Sequence, residues 1–166
     1  MTRTADDVLG LASDVLVIGG GLAGCWAASA ARRAGALVCL NAAPYRELSE
    51  ALRRQVDVLV VNAIEAEQLC EVRVDDLASA ARAAQTLCAT FPSAVVTAGG
   101  DGVAWCDHGT QPATLPAHPV ELVSTHGAGD AFVGTLAATL ATGESLEASI
   151  KAANRAAAAH VSAAPT

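Results

Sequence analysis

The sequence predicts an α/β fold built on a parallel sheet. Short apolar runs of strand length recur along the chain, segments of helical composition alternate with them, and Gly, Asn or Pro punctuates the junctions. The runs are Val15–Ile18, Leu37–Leu40, Val58–Val61 and Ala94–Thr97. The unbroken apolar character of the first three suits strands buried on both faces, as parallel strands between helical layers are.

Composition agrees with that class. The 166 residues are 52% hydrophobic but only 3% aromatic. This length suits one domain, with a core of Ala, Val and Leu packed closely between helices and strands. The formal net charge is −7 and Lys151 is the sole lysine. That balance excludes a broad phosphate-tracking surface, so no nucleic-acid partner is expected. The five cysteines are odd in number, widely spaced and without a Cys-x-x-Cys pair. Free thiols in a reducing cytoplasm account for them better than a disulfide framework or a zinc site.

Taken in order, Val15–Ile18 is a strand and Gly19-Gly20-Gly21 a turn into an Ala-rich helix ending near Arg32, Arg33 and Gly35. The apolar stretch from Val15 to Ala31 contains three consecutive glycines, follows Asp6, Asp7 and Asp14, and has no basic leader. It therefore reads as strand, turn and helix, not as a membrane span or signal peptide. The strand Leu37–Leu40 closes on Asn41-Ala42-Ala43-Pro44, and a brief helix over Glu47–Arg54 precedes the strand Val58–Val61. Asn62 opens a helix, and Asp75 or Asp76 opens another running to about Ala89. After the strand Ala94–Thr97 and the turn Gly99–Gly102, Val103–Leu122 reads as a hairpin at the sheet edge, broken by His108-Gly109, Pro112, Pro116 and Pro119. Helices from Gly127 to about Leu140 and from Ser145 to about Val161 close the chain.

Several segments carry candidate chemistry. Gly19-x-Gly21-x-x-Gly24 lies between strand and helix, the setting of a dinucleotide fingerprint. The acid expected at the end of the next strand is instead Asn41, so a tight turn with close packing explains these glycines as well. Asn62-x-x-Glu65 begins the helix after the third strand. It reads either as a capping box or as Asn62 facing a phosphate with Glu65 holding Mg²⁺ through water. Thr97-x-Gly99-x-x-Gly102 suits backbone N–H groups facing a phosphate, or a plain turn.

Ser124-Thr125-His126-Gly127-Ala128-Gly129-Asp130-Ala131-Phe132 is the most specific segment. Gly-Ala-Gly at a helix start presents several N–H groups in one patch, where the helix dipole favours an anion. Asp130, in the same first turn, would stay ionised and could take a proton from an attacking hydroxyl. The plain alternative is an Asp stabilising a helix N-terminus. The four histidines lack metal-ligand spacing and read as surface residues, with His126 set apart by its neighbours. No G-x-x-x-x-G-K-[ST] segment occurs.

Asn41-Ala42-Ala43-Pro44, Asn62-x-x-Glu65, Thr97-x-Gly99-x-x-Gly102, Gly127-Ala128-Gly129-Asp130 and Asn154 follow the order and spacing of one family. In them the chain resembles the PfkB/ribokinase family of carbohydrate kinases, over nearly its whole length but only the family's C-terminal, nucleotide-binding part. The resemblance implies a ribokinase-like three-layer α/β/α fold with a mostly parallel sheet, truncated at the N-terminal side and without a lid. It implies one partial domain over residues 1–166. It also implies ATP and Mg²⁺ as cofactors and a sugar or sugar-like alcohol as partner, with no membrane partner.

By the same resemblance Asp130 is the catalytic base and Gly127, Ala128 and Gly129 form the anion hole for the γ-phosphoryl group. Thr97, Gly99 and Gly102 line the nucleotide site, Asn62 contacts phosphate, Glu65 serves Mg²⁺, and Asn154 lies by the base. The departures are specific. Family members are normally near twice this length and carry an N-terminal Gly-Gly-x-x-x-Asn type segment that has no counterpart here. Gly19-Gly20-Gly21 stands where the family has Gln-x-Glu, and Ser124 and His126 stand where it has Asp and Thr of a monovalent-cation site. Two further functions stay open: an FAD- or NAD-binding module on Gly19, Gly21 and Gly24, and a remnant whose exposed sheet edge and apolar helix faces drive it into a homo-oligomer.

Overall fold

Each apolar run becomes a strand, and along the second, third and fourth the side chains alternate between two helical layers. The computed structural model describes residues 15–19, 22–121 and 123–163. Its sheet has six strands in sequential order: β1 (Val15–Gly19), β2 (Leu37–Asn41), β3 (Val58–Asn62), β4 (Ser93–Thr97), β5 (Gly102–Asp107) and β6 (Ala113–Pro116). The first four are parallel, and β5 and β6 add to β4 as an antiparallel hairpin at the edge. The sheet is thus mostly parallel, with the hairpin where Pro112 and Pro116 predict it.

The helices are α1 (Leu22–Arg33), α2 (Glu50–Arg53), α3 (Ala63–Cys70), α4 (Leu77–Leu87), α5 (Ala128–Ala141) and α6 (Leu146–Ser162). On one face, Val38, Leu40, Leu59, Val61 and Val96 pack against Ala28, Leu52, Ala66, Ala83 and Leu87 of α1 to α4. On the other, Cys39, Val58, Val60, Val95 and Trp105 pack against Phe132 and Leu136 of α5 and Ile150 and Ala153 of α6. The result is three layers. Because the strands advance in one direction, each right-handed crossover returns its helix to the same face. The other face is left for α5 and α6.

Local sequence explains the helix starts. Asp76 caps α4 by accepting from the Ser79 N–H at 2.7 Å, and Ser145 caps α6 by accepting from the Ala148 N–H at 3.2 Å. The helix predicted over Glu47–Arg54 is shorter, because Ser49 caps it by accepting from the Leu52 N–H at 3.3 Å, so that it starts at Glu50. Likewise α4 ends at Leu87, and residues 88–90 form a turn.

The register brings three strand ends together. Gly19 pairs with Asn41, Asn41 with Val60, and Asn62 with Thr97. Asn41, Asn62 and Thr97 are the last residues of β2, β3 and β4, on the edge where open α/β sheets bind ligands.

Candidate functional site

Two adjoining clefts lie over those strand ends. The smaller, about 120 Å³, is lined by Asn41, Asn62, Glu65 and Thr97 from the sheet side and by Gly129 and Asp130 from α5. The larger, about 690 Å³, shares Asn62, Thr97, Gly129 and Phe132 with it. It continues past Gly99, Gly102 and Ala128 to Asn154 on α6. Residues spread from position 41 to position 154 thus meet around one continuous space.

The N-terminus of α5 differs from its counterparts. Ser49, Asn62, Asp76 and Ser145 cap α2, α3, α4 and α6 with side-chain oxygens, whereas Gly127 offers α5 none. The first well-formed bond of α5 runs from the Ala131 N–H to the Gly127 carbonyl at 2.9 Å. The N–H groups of Gly129 and Asp130 make no hydrogen bond among the described residues. They are unspent donors at the positive end of a helix, beside both clefts. Gly127 itself lines neither cleft. It turns the chain into α5 at φ +77°, and a Cβ there would stand 2.8 Å from His160 Nε2.

Asn62 and Glu65 form the capping box. Asn62 Oδ1 accepts from the Glu65 N–H and Glu65 Oε2 from the Asn62 N–H, each at 2.9 Å. The box fixes both side chains while they line the smaller cleft, and it leaves Asn62 Nδ2 and Glu65 Oε1 without a partner among the described residues. The structural and functional readings of this motif are therefore compatible.

Asn154 is buried and donates from Nδ2 to the Pro116 carbonyl at 3.0 Å, tying α6 to β6. Gly102 has a structural reason that spacing does not reveal. Its φ is +124°, and a Cβ would fall 2.2 Å from the Leu115 carbonyl oxygen.

Among the described residues no Lys or Arg lines either cleft, while Glu65 and Asp130 both face the smaller one. Phosphate oxygens there would meet N–H groups and carboxylates but no cationic arm. No group of three or more His, Cys, Asp or Glu able to hold a metal occurs among the described residues. Such a donor set fits Mg²⁺, which keeps much of its water and is bound through one or two carboxylates plus substrate phosphates. It does not fit a dedicated protein cage. The buried thiols of Cys39 and Cys88 are packing groups: burial pushes Cys39 up to about 12 and also raises Cys88, so neither supplies a thiolate.

Sequence reasoning missed the apolar wall of the larger cleft. Ala157, Ala158 and Val161 follow Asn154 at helical spacing on one face of α6, with Pro119 and Val120 on the loop after β6. Ile64, exposed in the first turn of α3, adds to it. The i, i+3, i+4, i+7 pattern from Asn154 is the signal that could have found it. The four histidines are exposed, as expected. In the alternative motif, Gly19 ends β1 and Gly24 lies in α1, while Gly20 and Gly21 lie outside the described residues. Asn41, in place of the fingerprint's acid, lines the smaller cleft with Asp130.

A mostly parallel three-layer sheet carrying a site of this kind defines the ribokinase-like class. Ribokinase from Thermotoga maritima superposes with a TM-score of 0.76 at 25% identity, covering 92% of this chain and 51% of that one. Arabidopsis thaliana ribokinase, solved with ribose and ATP, shares the fold with a TM-score of 0.82 at 23% identity, covering 92% and 51%. The model of the pfkB family carbohydrate kinases matches residues 21–166, and the chain belongs to that family. The ribokinase of Bacillus subtilis is 34% identical over 122 residues, 72% of this chain and 38% of the relative. The chain thus spans about half the length of the solved relatives and less of the curated one. Among the described residues, no helix is long and apolar enough to cross a membrane.

Proposed function

We propose that residues 1–166 act as one partial ribokinase-like domain that binds MgATP and transfers its γ-phosphoryl group to a hydroxyl of a sugar or sugar-like alcohol. The observation that carries this reading is the meeting of Asp130 and the unspent N–H groups of α5 with Glu65 and Asn62 in one cleft. Support also comes from family membership and from the larger cleft beside the smaller one, with its apolar wall and Asn154.

In this reading the base lies against Ala157, Ala158 and Val161, with Asn154 at its edge and the strand-end turn Thr97–Gly102 under the phosphates. The N–H groups of Gly129 and Asp130 take the γ-phosphoryl oxygens, beside Ala128, whose N–H donates to the Thr125 carbonyl at 3.4 Å, with Gly127 setting the start of the helix. Preorganised donors of this kind supply much of what phosphoryl transfer needs. Asp130 accepts the proton of the attacking hydroxyl as the new O–P bond forms and the bond to ADP breaks. Asn62 Nδ2 is free to reach a phosphate, and Glu65 Oε1 to hold a metal-bound water. Mg²⁺, when bound, would offset the phosphate charge that no Lys or Arg meets here. In this reading the protein works in the cytoplasm, which the use of ATP and an odd, widely spaced set of cysteines support.

The test is coupled detection of ADP over a panel of pentoses and hexoses. Wild type should exceed Asp130→Ala by about 10²–10⁴ for an accepted sugar. Equal backgrounds for the two proteins across the panel would sink the kinase reading.

A further inference from the structure

The loop that leads into α5 is held from behind by the last turn of α6. The N–H groups of Val123 and Ser124 both donate to the Val161 carbonyl, at 2.8 and 3.1 Å. One residue earlier on α6, His160 Nε2 lies 2.9 Å from the His126 carbonyl oxygen. A carbonyl only accepts, so Nε2 carries the proton and donates. The ring fits over Gly127, where a Cβ would approach Nε2 to 2.8 Å.

The acceptor is significant. His126 is four residues before Asp130, so its carbonyl is the one the Asp130 N–H would bond if the α-helical ladder began one residue earlier. That bond is not made, and the carbonyl takes the His160 proton instead. Gly127 also lacks a side chain that could cap the helix. His160 therefore keeps the His126 carbonyl engaged outside the helix and leaves the Asp130 N–H available to a ligand.

We propose that His160 is a positioning residue for the anion site at the start of α5: its hydrogen bond to the His126 carbonyl sets the turn so that the Gly129 and Asp130 N–H groups point unspent at a phosphoryl group. This rests on the reading that those groups bind phosphate. His160 lines neither cleft, so it acts through the turn and not on the ligand.

The test separates phosphate binding from base binding and from folding. Titration calorimetry with ATP and with AMP, both in Mg²⁺, would be run on wild type, His160→Leu, His160→Gln and Gly129→Ala. Losing one such hydrogen bond should weaken ATP by about fivefold to tenfold in His160→Leu. AMP, held through its base and lacking a γ-phosphate, should be unchanged. His160→Gln keeps a side-chain N–H donor and should restore ATP affinity. An equal loss for ATP and AMP would mean a merely structural role and overturn the proposal. So would full ATP affinity in His160→Leu while Gly129→Ala loses it. Unchanged ATP affinity in Gly129→Ala would instead refute the anion site itself, and the role of His160 with it.

Discussion

Replacing Gly129 with Ala should make the protein more stable and less able to bind ATP. Gly129 is the second residue of α5, in helical conformation. A Cβ there meets no protein atom within 4 Å, so the methyl group costs nothing in packing. Gly to Ala within a helix gains about 0.5–1 kcal/mol through the unfolded chain's lost freedom. For a chain of this size that is a rise of about 1–4 °C in Tm. Gly129 lines both clefts, so the methyl group would stand beside the N–H groups that take the phosphoryl oxygens in the proposed function. Blocking one preorganised donor costs about 10²–10³ in rate, and MgATP affinity should fall at least about tenfold. The assays are a thermal melt with and without MgATP, and calorimetric titration. A variant that melts higher yet binds MgATP as wild type does would refute the placement of phosphate over α5. A variant that melts lower would refute the reading of Gly129 as unpacked.

Glu65→Gln keeps the capping geometry but removes the charge. Its unfolding midpoint in urea should stay within about 0.5 kcal/mol of wild type, while the gain in ATP affinity from Mg²⁺ should shrink at least about fivefold. Gly102→Ala must place a Cβ against the β6 backbone at positive φ, so urea unfolding should report a loss of at least about 2 kcal/mol. Asp76 accepts from the Ser79 hydroxyl and N–H, which hold its carboxyl below the usual range. A lowered native pKa gives stability that is present above the unfolded value and lost as pH falls through the native one. The advantage of wild type over Asp76→Asn in urea should therefore hold from about pH 7 down to about pH 4 and shrink as pH falls further.

What the sequence made legible was local. Val58–Val61 and Ala94–Val96 read as strand because every side chain in them is apolar, and both faces are indeed covered. Asp75 or Asp76 read as opening one helix and Ser145 as the start of another, and the structure makes Asp76 and Ser145 the caps, which need only the next three residues. Asn62 and Glu65 were legible twice, once as a box and once as a site, and three-residue spacing alone could not separate the two.

What was hidden depends on chain segments far apart. Nothing near Gly102 announces that the β6 backbone occupies the place a Cβ would take. His160 is 34 residues from His126, and only the packing of α5 on α6 brings it under the turn. The free N–H groups of α5 were legible as a Gly-Ala-Gly start, but that they stay unspent depends on where the His126 carbonyl goes. The apolar wall on α6 looked like ordinary Ala-rich helix, since helical spacing gives a face but not what the face meets.

The most direct test of the central claim is titration of the purified, folded chain with ATP and Mg²⁺, with FAD and NAD as parallel ligands. Saturable binding of MgATP, and none of FAD or NAD, is predicted. Silence toward MgATP would contradict the claim and leave a remnant that acts by association. Binding of FAD or NAD would contradict it as well, moving the site to Gly19-x-Gly21-x-x-Gly24.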